Sequence, residues 1–400
     1  MKIQRTIFSI ASLLLFSGLT VAQNSIMIND ILTEAKRKLV PDRRTAVFDV
    51  NADVNGTVLT LRGDIQNASL KEKLLEFLKG KGDFQIVDSL TVLPHPNVGD
   101  HLYALVSVSV ANIRTKPDHP AEMGTQALLG TPLKVLKQER GGWYLVQTPD
   151  DYLGWTDDML KLLTKEEYEQ WVEQPKVIIT TEYSFVRISM DPKSQPVSDV
   201  VVGDILALTK DWGTHLEVMY PDGRTGYIPR EHAEVYTTWL SRLNPTPENI
   251  VATAKRFFGV PYFWGGTSAK ALDCSGFTKT VYFLNGILLP RDASQQAIVG
   301  DPVDTTSGYG KFQTGDLLFF GSRARENRPE RVTHVGIYLG GGRFIHESGD
   351  VRINSFNPAD PDFNGRRRDS LLKARRIIGA GEETGIRKLS QLPYYSGHAF

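Results

Sequence analysis

Cysteine is nearly missing from this chain: 400 residues contain one, Cys274. No intrachain disulfide can form, so the thiol is an inert core group, an odd partner for another chain, or a reactive group. Net charge is missing too. Lys+Arg and Asp+Glu both number 46, which leaves no global field to steer nucleic acid or an anionic membrane, and no nucleic-acid partner is expected. Past the first two dozen residues no apolar run approaches a membrane span, so no integral membrane segment is expected in the mature chain. Disorder is excluded by composition, with 41% hydrophobic and 10% aromatic residues. The length exceeds what one core supports and implies two to four domains.

The chain opens with Lys2 and Arg5 before "IFSIASLLLFSGLTVA", an apolar run ending on Thr20-Val21-Ala22. That is the pattern of a secretory leader spanning 1–22, with a mature start near Gln23. No Cys follows the run, which argues against a lipoprotein anchor. The expected location is exported, either periplasmic or extracellular.

Helical spacing at Ile26, Ile28, Ile31 and Leu32 is followed by two alternating stretches around Asn55-Gly56, a hairpin signal. "SLKEKLLEFLKG" predicts a helix capped by Ser69 with Glu72 closing a capping box, and "FQIVDSLTVL" predicts a third strand. Residues 24–96 thus form a small α-β-β-α-β unit. Pro94 and Pro96 mark a linker. A 72-residue repeat then places Val146, Pro149 and Trp155 in the spacing of Val218, Pro221 and Tyr227, with short strands broken by Gly, Pro and Asp. Two small β-barrels are expected, at 100–165 and 176–238. A last α+β domain at 245–380 opens with a helix capped by Thr246 or Asn244, and a tail at 381–400 has no assignment.

Cys274 precedes Phe277, Val281 and Leu284, one stripe of a helix that starts at the Asp273–Cys274 corner. A thiol at a helix N-terminus faces unpaired N–H groups and the positive end of the dipole, which favour thiolate. Gly276 keeps the first turn slim enough for a second molecule to approach. A nucleophilic thiol also needs a base. "THVGIYLGGGRFIHESG" supplies two histidines on a hairpin: if the loop is Gly340-Gly341-Gly342, opposed pairs sum to 682. His346 then lies opposite Gly336 and on the face of His334, with open space between the imidazoles. One Cys and two His without a clear fourth ligand make a metal site a weak alternative, and no cofactor is expected.

The segments "VPYFWGG", "LDCSGF", "LPRDASQQ", "TGDLLFF", "THVGIYLG" and "FIHESG" resemble, in order and spacing, the NlpC-type papain-like cell-wall peptidases over residues 246–378. The repeats resemble bacterial SH3-like domains, and the N-terminal unit resembles the BON domain, a family associated with surface or lipid attachment. The implied fold is multidomain α+β: a BON-like domain, two SH3-like β-barrels and a papain-like α+β catalytic domain. The arrangement resembles the γ-D-glutamyl-L-diamino-acid endopeptidases, whose substrates are peptidoglycan-derived peptides. The resemblance implies Cys274 as nucleophile, His334 as general base and acid, His346 as its orienting residue and Tyr262 as an oxyanion donor. On the substrate side it implies Asp273, with Glu122 and Tyr152 of the first barrel, around the free N-terminal amine. Ser275 and Ser294 match substrate-side positions of that family and Trp264 is expected to wall the cleft, while Arg291 and Asp292 either join them or brace the fold. The competing readings are an amidase or acyltransferase on the same thiol scaffold, and a non-catalytic wall-binding protein.

Overall fold

A computed structural model describes residues 26–396, so the leader at 1–22 and the last four residues of the tail lie outside the described residues. The chain divides into two compact units, one comprising the residues up to 99 with 136–138, the other the remainder.

In the first unit a helix over 26–39 precedes strands Phe48–Asn55 and Val58–Ile65, helix Ala68–Lys79 and strand Gln85–Val92. The first two strands pair antiparallel and the third runs parallel to the second, giving the expected α-β-β-α-β order. The hairpin turns on Gly56-Thr57, one residue later than Asn55-Gly56, because Asn55 still pairs with Val58. The second helix starts earlier than its predicted cap. Asn67, not Ser69, is the N-cap and accepts from the Leu70 N–H at 2.9 Å, which lets Leu70, Leu74 and Leu78 face the core together.

The second unit contains two seven-stranded sheets, between Tyr103 and Leu163 and between Lys176 and Val235. The repeat is structural as well as sequential: Arg114 opposes Trp155 in one sheet as Arg187 opposes Tyr227 in the other. Helix Lys165–Glu173 joins them, its start fixed by a Thr164–Glu167 capping box. The tail has a place. Arg387–Lys388 pairs with Ile287–Leu288, and Tyr394 and Tyr395 are buried with Tyr168, Trp171 and Trp239.

The catalytic part begins with helix Pro247–Arg256, capped by Thr246 and burying Ile250 and Ala254, while Phe257 is buried and Phe258 exposed. Helix α1 (Cys274–Phe283) packs on a six-stranded antiparallel sheet. The strands used below are β1 (Leu317–Ser322), β2 (Arg331–Gly340), β3 (Arg343–Glu347) and β4 (Val351–Ser355), adjacent in that order. Phe277 and Val281 of α1 are fully buried against Val335, Ile337 and Ile345, each such side chain contributing about 1.5–3 kcal/mol. The first barrel is bonded to this domain. Gln126 receives the Thr267 N–H at 3.1 Å and hydroxyl at 3.0 Å, Thr125 Oγ1 accepts from Arg291 Nε at 2.9 Å, and Lys279 of α1 forms a buried ion pair with Asp150.

Candidate active site

The Asp273 side chain accepts from the Gly276 N–H at 2.7 Å, so Asp273 is the N-cap of α1 and Cys274 its first residue. Gly276 serves packing, not access: a Cβ there would sit 1.9 Å from the Gly266 carbonyl oxygen, so only glycine lets the helix start against that loop. The thiol lies at the backbone N–H of Val335, the residue after His334. Burial, followed by the Asp273 charge, pushes its pKa up to about 12. The helix terminus therefore does not hold a standing thiolate, contrary to the expectation from the dipole; desolvation is the larger effect.

The hairpin register is as expected, with Ile337 opposite Ile345 and Tyr338 opposite Phe344, but the turn differs. The turn is the pair Gly341-Gly342, both with positive φ, and an irregularity between Tyr338 and Gly340 takes up Leu339. A two-residue turn alone would have put the histidines on opposite faces; the bulge restores the pairing. The space between the imidazoles is closed. His334 Nε2 and His346 Nδ1 are 2.7 Å apart, and a Cβ on Gly336 would meet His346 Cβ at 2.9 Å.

Protons along this relay can be assigned. Asn354 on β4 donates Nδ2 to the Asp362 carbonyl at 3.1 Å and receives Asn364 Nδ2 on Oδ1 at 3.0 Å, which fixes its amide orientation. Asn354 Oδ1 lies 2.8 Å from His346 Nε2, which therefore carries the hydrogen. Neutral His346 then accepts at Nδ1, His334 donates from Nε2, and the lone pair of His334 is at Nδ1. Both rings are neutral at ordinary pH. Burial, then the charge of Arg367, holds His334 well below its usual range, and burial takes His346 down to about 4 despite the Asn354 bond. Asn354 and Arg367 had no local signal in the sequence; only the pairing of β3 with β4 and the fold of 357–370 bring them here.

Tyr262 is stitched between the nucleophile and the hairpin. Its N–H donates to Gly349 O at 2.9 Å, and the neighbouring Phe263 N–H donates to Leu272 O at 2.9 Å. Burial pushes the phenol pKa upward, and the acidic groups of Cys274, Asp273 and Glu347 act in the same direction.

The substrate-side residues divide. Both Asp273 oxygens are occupied: Oδ1 by the Gly276 N–H, Ser275 Oγ and Arg291 Nη1, Oδ2 by the Gly265 N–H and Arg291 Nη2. A carboxylate offers about four lone-pair sites, so no room remains for a substrate ammonium. Burial alone would push the carboxyl up, but Arg291 holds it below the usual range. Ser275 is 4% exposed and bonded into the same cluster, accepting from Arg291 Nη1 at 3.0 Å; it is a brace rather than a cleft wall. Arg291 likewise braces the fold. Glu122 and Trp264 meet as a pair at the surface, with Trp264 Nε1 donating to Glu122 Oε1 at 2.9 Å. The Tyr152 hydroxyl lies 3.3 Å from Asp292 Oδ2, on the turn that leads into helix Ala293–Gln296 and Ser294. Asp292, and not Asp273, is the acid brought to Tyr152. Among the described residues no cluster of three or more His, Cys, Asp or Glu could hold a metal ion.

A family model described as the NlpC/P60 family matches residues 259–363, and one described as a bacterial dipeptidyl-peptidase SH3 domain matches 113–158. The γ-D-glutamyl-L-lysine dipeptidyl-peptidase of Bacillus cereus is 31% identical over 56% of this chain and 67% of its own length, and that of Bacillus subtilis 32% over 56% and 71%. The chain belongs to the NlpC/P60 family. Dipeptidyl-peptidase 6 of Lysinibacillus sphaericus is 27% identical over 69% of this chain and 98% of its own. The crystal structure of an NlpC/P60 family protein from Bacillus cereus superposes with a TM-score of 0.59 at 26% identity, covering 69% of this chain and 99% of that one. As an NlpC/P60 protein, the chain has its nucleophile candidate and both histidines within one matched segment, and Glu122 and Tyr152 within the other.

Proposed function

We propose that this protein is an exported cysteine endopeptidase that hydrolyses the γ-D-glutamyl bond to the L-diamino acid in peptidoglycan stem peptides bearing a free N-terminal L-Ala. The observation that carries the reading is the relay Asn354–His346–His334, which leaves the His334 lone pair at Nδ1 on the strand whose Val335 packs in one cluster with Cys274. His334 takes the thiol proton as sulfur attacks the γ-carbonyl, since no standing ion pair exists to do so beforehand. The helix N-terminal N–H and the Tyr262 hydroxyl hold the oxyanion. His334 then protonates the leaving amine, and water hydrolyses the thioester. Asp292, Tyr152 and Glu122 hold the substrate amine, with Trp264 and Ser294 beside it. The reading keeps a BON-like unit at 24–96 for surface contact, two SH3-like barrels at 100–165 and 176–238, a catalytic domain at 245–380, and a leader at 1–22 for export.

Cys274→Ala is expected to abolish cleavage of L-Ala-γ-D-Glu-diamino acid peptides followed by mass spectrometry, and undiminished turnover would sink the reading. N-acetylating the peptide should block cleavage, because the acids that would meet the amine then lose their ammonium partner. If acetylated peptide is cut equally well, the amine-binding wall is wrong. Products carrying a transferred amine or lipid would favour the acyltransferase alternative.

A further inference from the structure

Helix Gly365–Asp369 carries Arg367, whose charge acts on His334. Its cap, Asn364, accepts from the Arg367 N–H at 3.0 Å and donates to Asn354 Oδ1 at 3.0 Å, the same oxygen that holds His346. The helix is thus built onto the relay. The Arg367 guanidinium lies 5.7 Å from the Phe320 ring, itself 5.7 Å from the His334 ring, and Nη2 reaches Ser348 Oγ only at 3.4 Å. Arg291, Arg352, Arg368 and Arg376 each face an aspartate, but no carboxylate pairs with Arg367 among the described residues. Burial lowers its pKa, the mark of a desolvated cation, and its charge reaches both Cys274 and His334.

An unneutralised guanidinium here opposes the reaction, because His334 must become an imidazolium when it takes the thiol proton. The conflict disappears if the substrate brings the counter-charge. The residues assigned above to the substrate amine, Tyr152 and Glu122, belong to the first barrel, whereas Arg367 packs on Phe320 and Ser348 of the histidine sheet, the side toward which His334 would release the leaving amine. We propose that Arg367 binds a carboxylate of the leaving diamino acid, and that this pairing both selects the substrate and frees His334 to accept the proton. The proposal rests on the peptidase reading above. Two sources of that carboxylate exist: the α-carboxylate of a diamino acid that ends its peptide, and the side-chain carboxylate that diaminopimelate has and lysine lacks.

The test uses four peptides, L-Ala-γ-D-Glu followed by L-lysine or meso-diaminopimelate, each with a free or amidated α-carboxyl. Wild-type protein, Arg367→Gln and Arg367→Lys are compared by kcat/KM and by the pH dependence of kcat. Wild type should favour the peptide carrying the recognised carboxylate by roughly tenfold or more, the usual scale of a charged hydrogen bond. The amidation arm and the diaminopimelate arm tell which carboxylate is read. Arg367→Gln should bring the ratio to near unity, and Arg367→Lys should retain part of it. The acid limb of kcat should lie at higher pH for the preferred peptide, since its carboxylate restores the basicity of His334. Equal wild-type rates on all four peptides overturn the proposal. So does an Arg367→Gln loss of the same factor on every peptide, which would mark an oxyanion-binding or purely structural role. If Arg367→Gln does not fold, the wild-type ratios still decide. No cleavage of any peptide by wild type would instead refute the peptidase reading itself.

Discussion

Two buried carboxyl groups flank the proposed nucleophile, and they are treated in opposite ways. Asp273 receives five donors, two of them from Arg291, and is 6% exposed; Glu347 is fully buried at the end of β3, and neither of its oxygens has a hydrogen-bond partner among the described residues. Burial, then the Asp350 charge, pushes Glu347 up to about 8, so it is a neutral acid at neutral pH, while Asp273 stays ionised. The N-cap side of the site is a closed network that fixes where the helix begins. The hairpin side holds a cation without a paired carboxylate among the described residues and an acid that keeps its proton. The difference separates the part of the site that is architecture from the part that meets a substrate.

Breaking the closed side should have the largest effect. Arg291→Ala leaves the Asp273 charge buried and unpaired, an expected loss of about 3–5 kcal/mol in urea unfolding. A loss below about 1 kcal/mol, the scale of an exposed pair, would place Asp273 in contact with solvent after all. Next comes the relay. Asn354→Leu removes the acceptor that sets the His346 tautomer, and kcat should fall by roughly a hundredfold, a share of what general base catalysis supplies. Stability of that variant, measured in parallel, should change far less than in Arg291→Ala.

Glu347 gives a smaller, pH-dependent effect. Its carboxyl keeps a proton to about pH 8 when folded but only to about 4.5 when unfolded, so the folded chain holds an extra proton between those values. The folded state therefore loses stability as pH rises from 4.5 to 8, by up to about 1.4 kcal/mol per unit. Glu347→Gln should flatten that part of the Tm-versus-pH curve; an unchanged slope would show that Glu347 is solvated or paired. Smallest of all is Arg352→Gln. Its ion pair with Asp350 is exposed and worth less than about 1 kcal/mol, but loss of a cation near Glu347 should move the Glu347 limb to still higher pH.

The sequence made the periodic features legible. Alternation gave the shared face of His334 and His346 only on the condition of a three-residue loop, an outcome the bulge reproduces, and the apolar stripe put Cys274 at a helix start. The bulge at Leu339 was invisible, since three glycines allow either a three-residue loop or a two-residue turn with a bulge. Asp273 was misassigned for a different reason. Its neighbours in sequence are Ser275 and Gly276, but its charge is answered by Arg291, and only packing brings that side chain back across the helix start. Asp292 and Tyr152, 140 residues apart, met for the same reason. Glu347 and Arg367 have no pattern at all, since what distinguishes them is a partner each lacks.

The repeat suggests interchangeable parts, but the contacts of the first barrel do not permit it. Thr125 and Gln126 complete hydrogen bonds for Arg291 and Thr267, and Asp150 answers the charge of Lys279 on the nucleophile helix. Excising residues 245–380 as a free-standing enzyme would strip those partners away and leave Lys279 without its counter-ion. Exchange of modules between relatives must therefore carry the first barrel together with the catalytic domain as one heritable block.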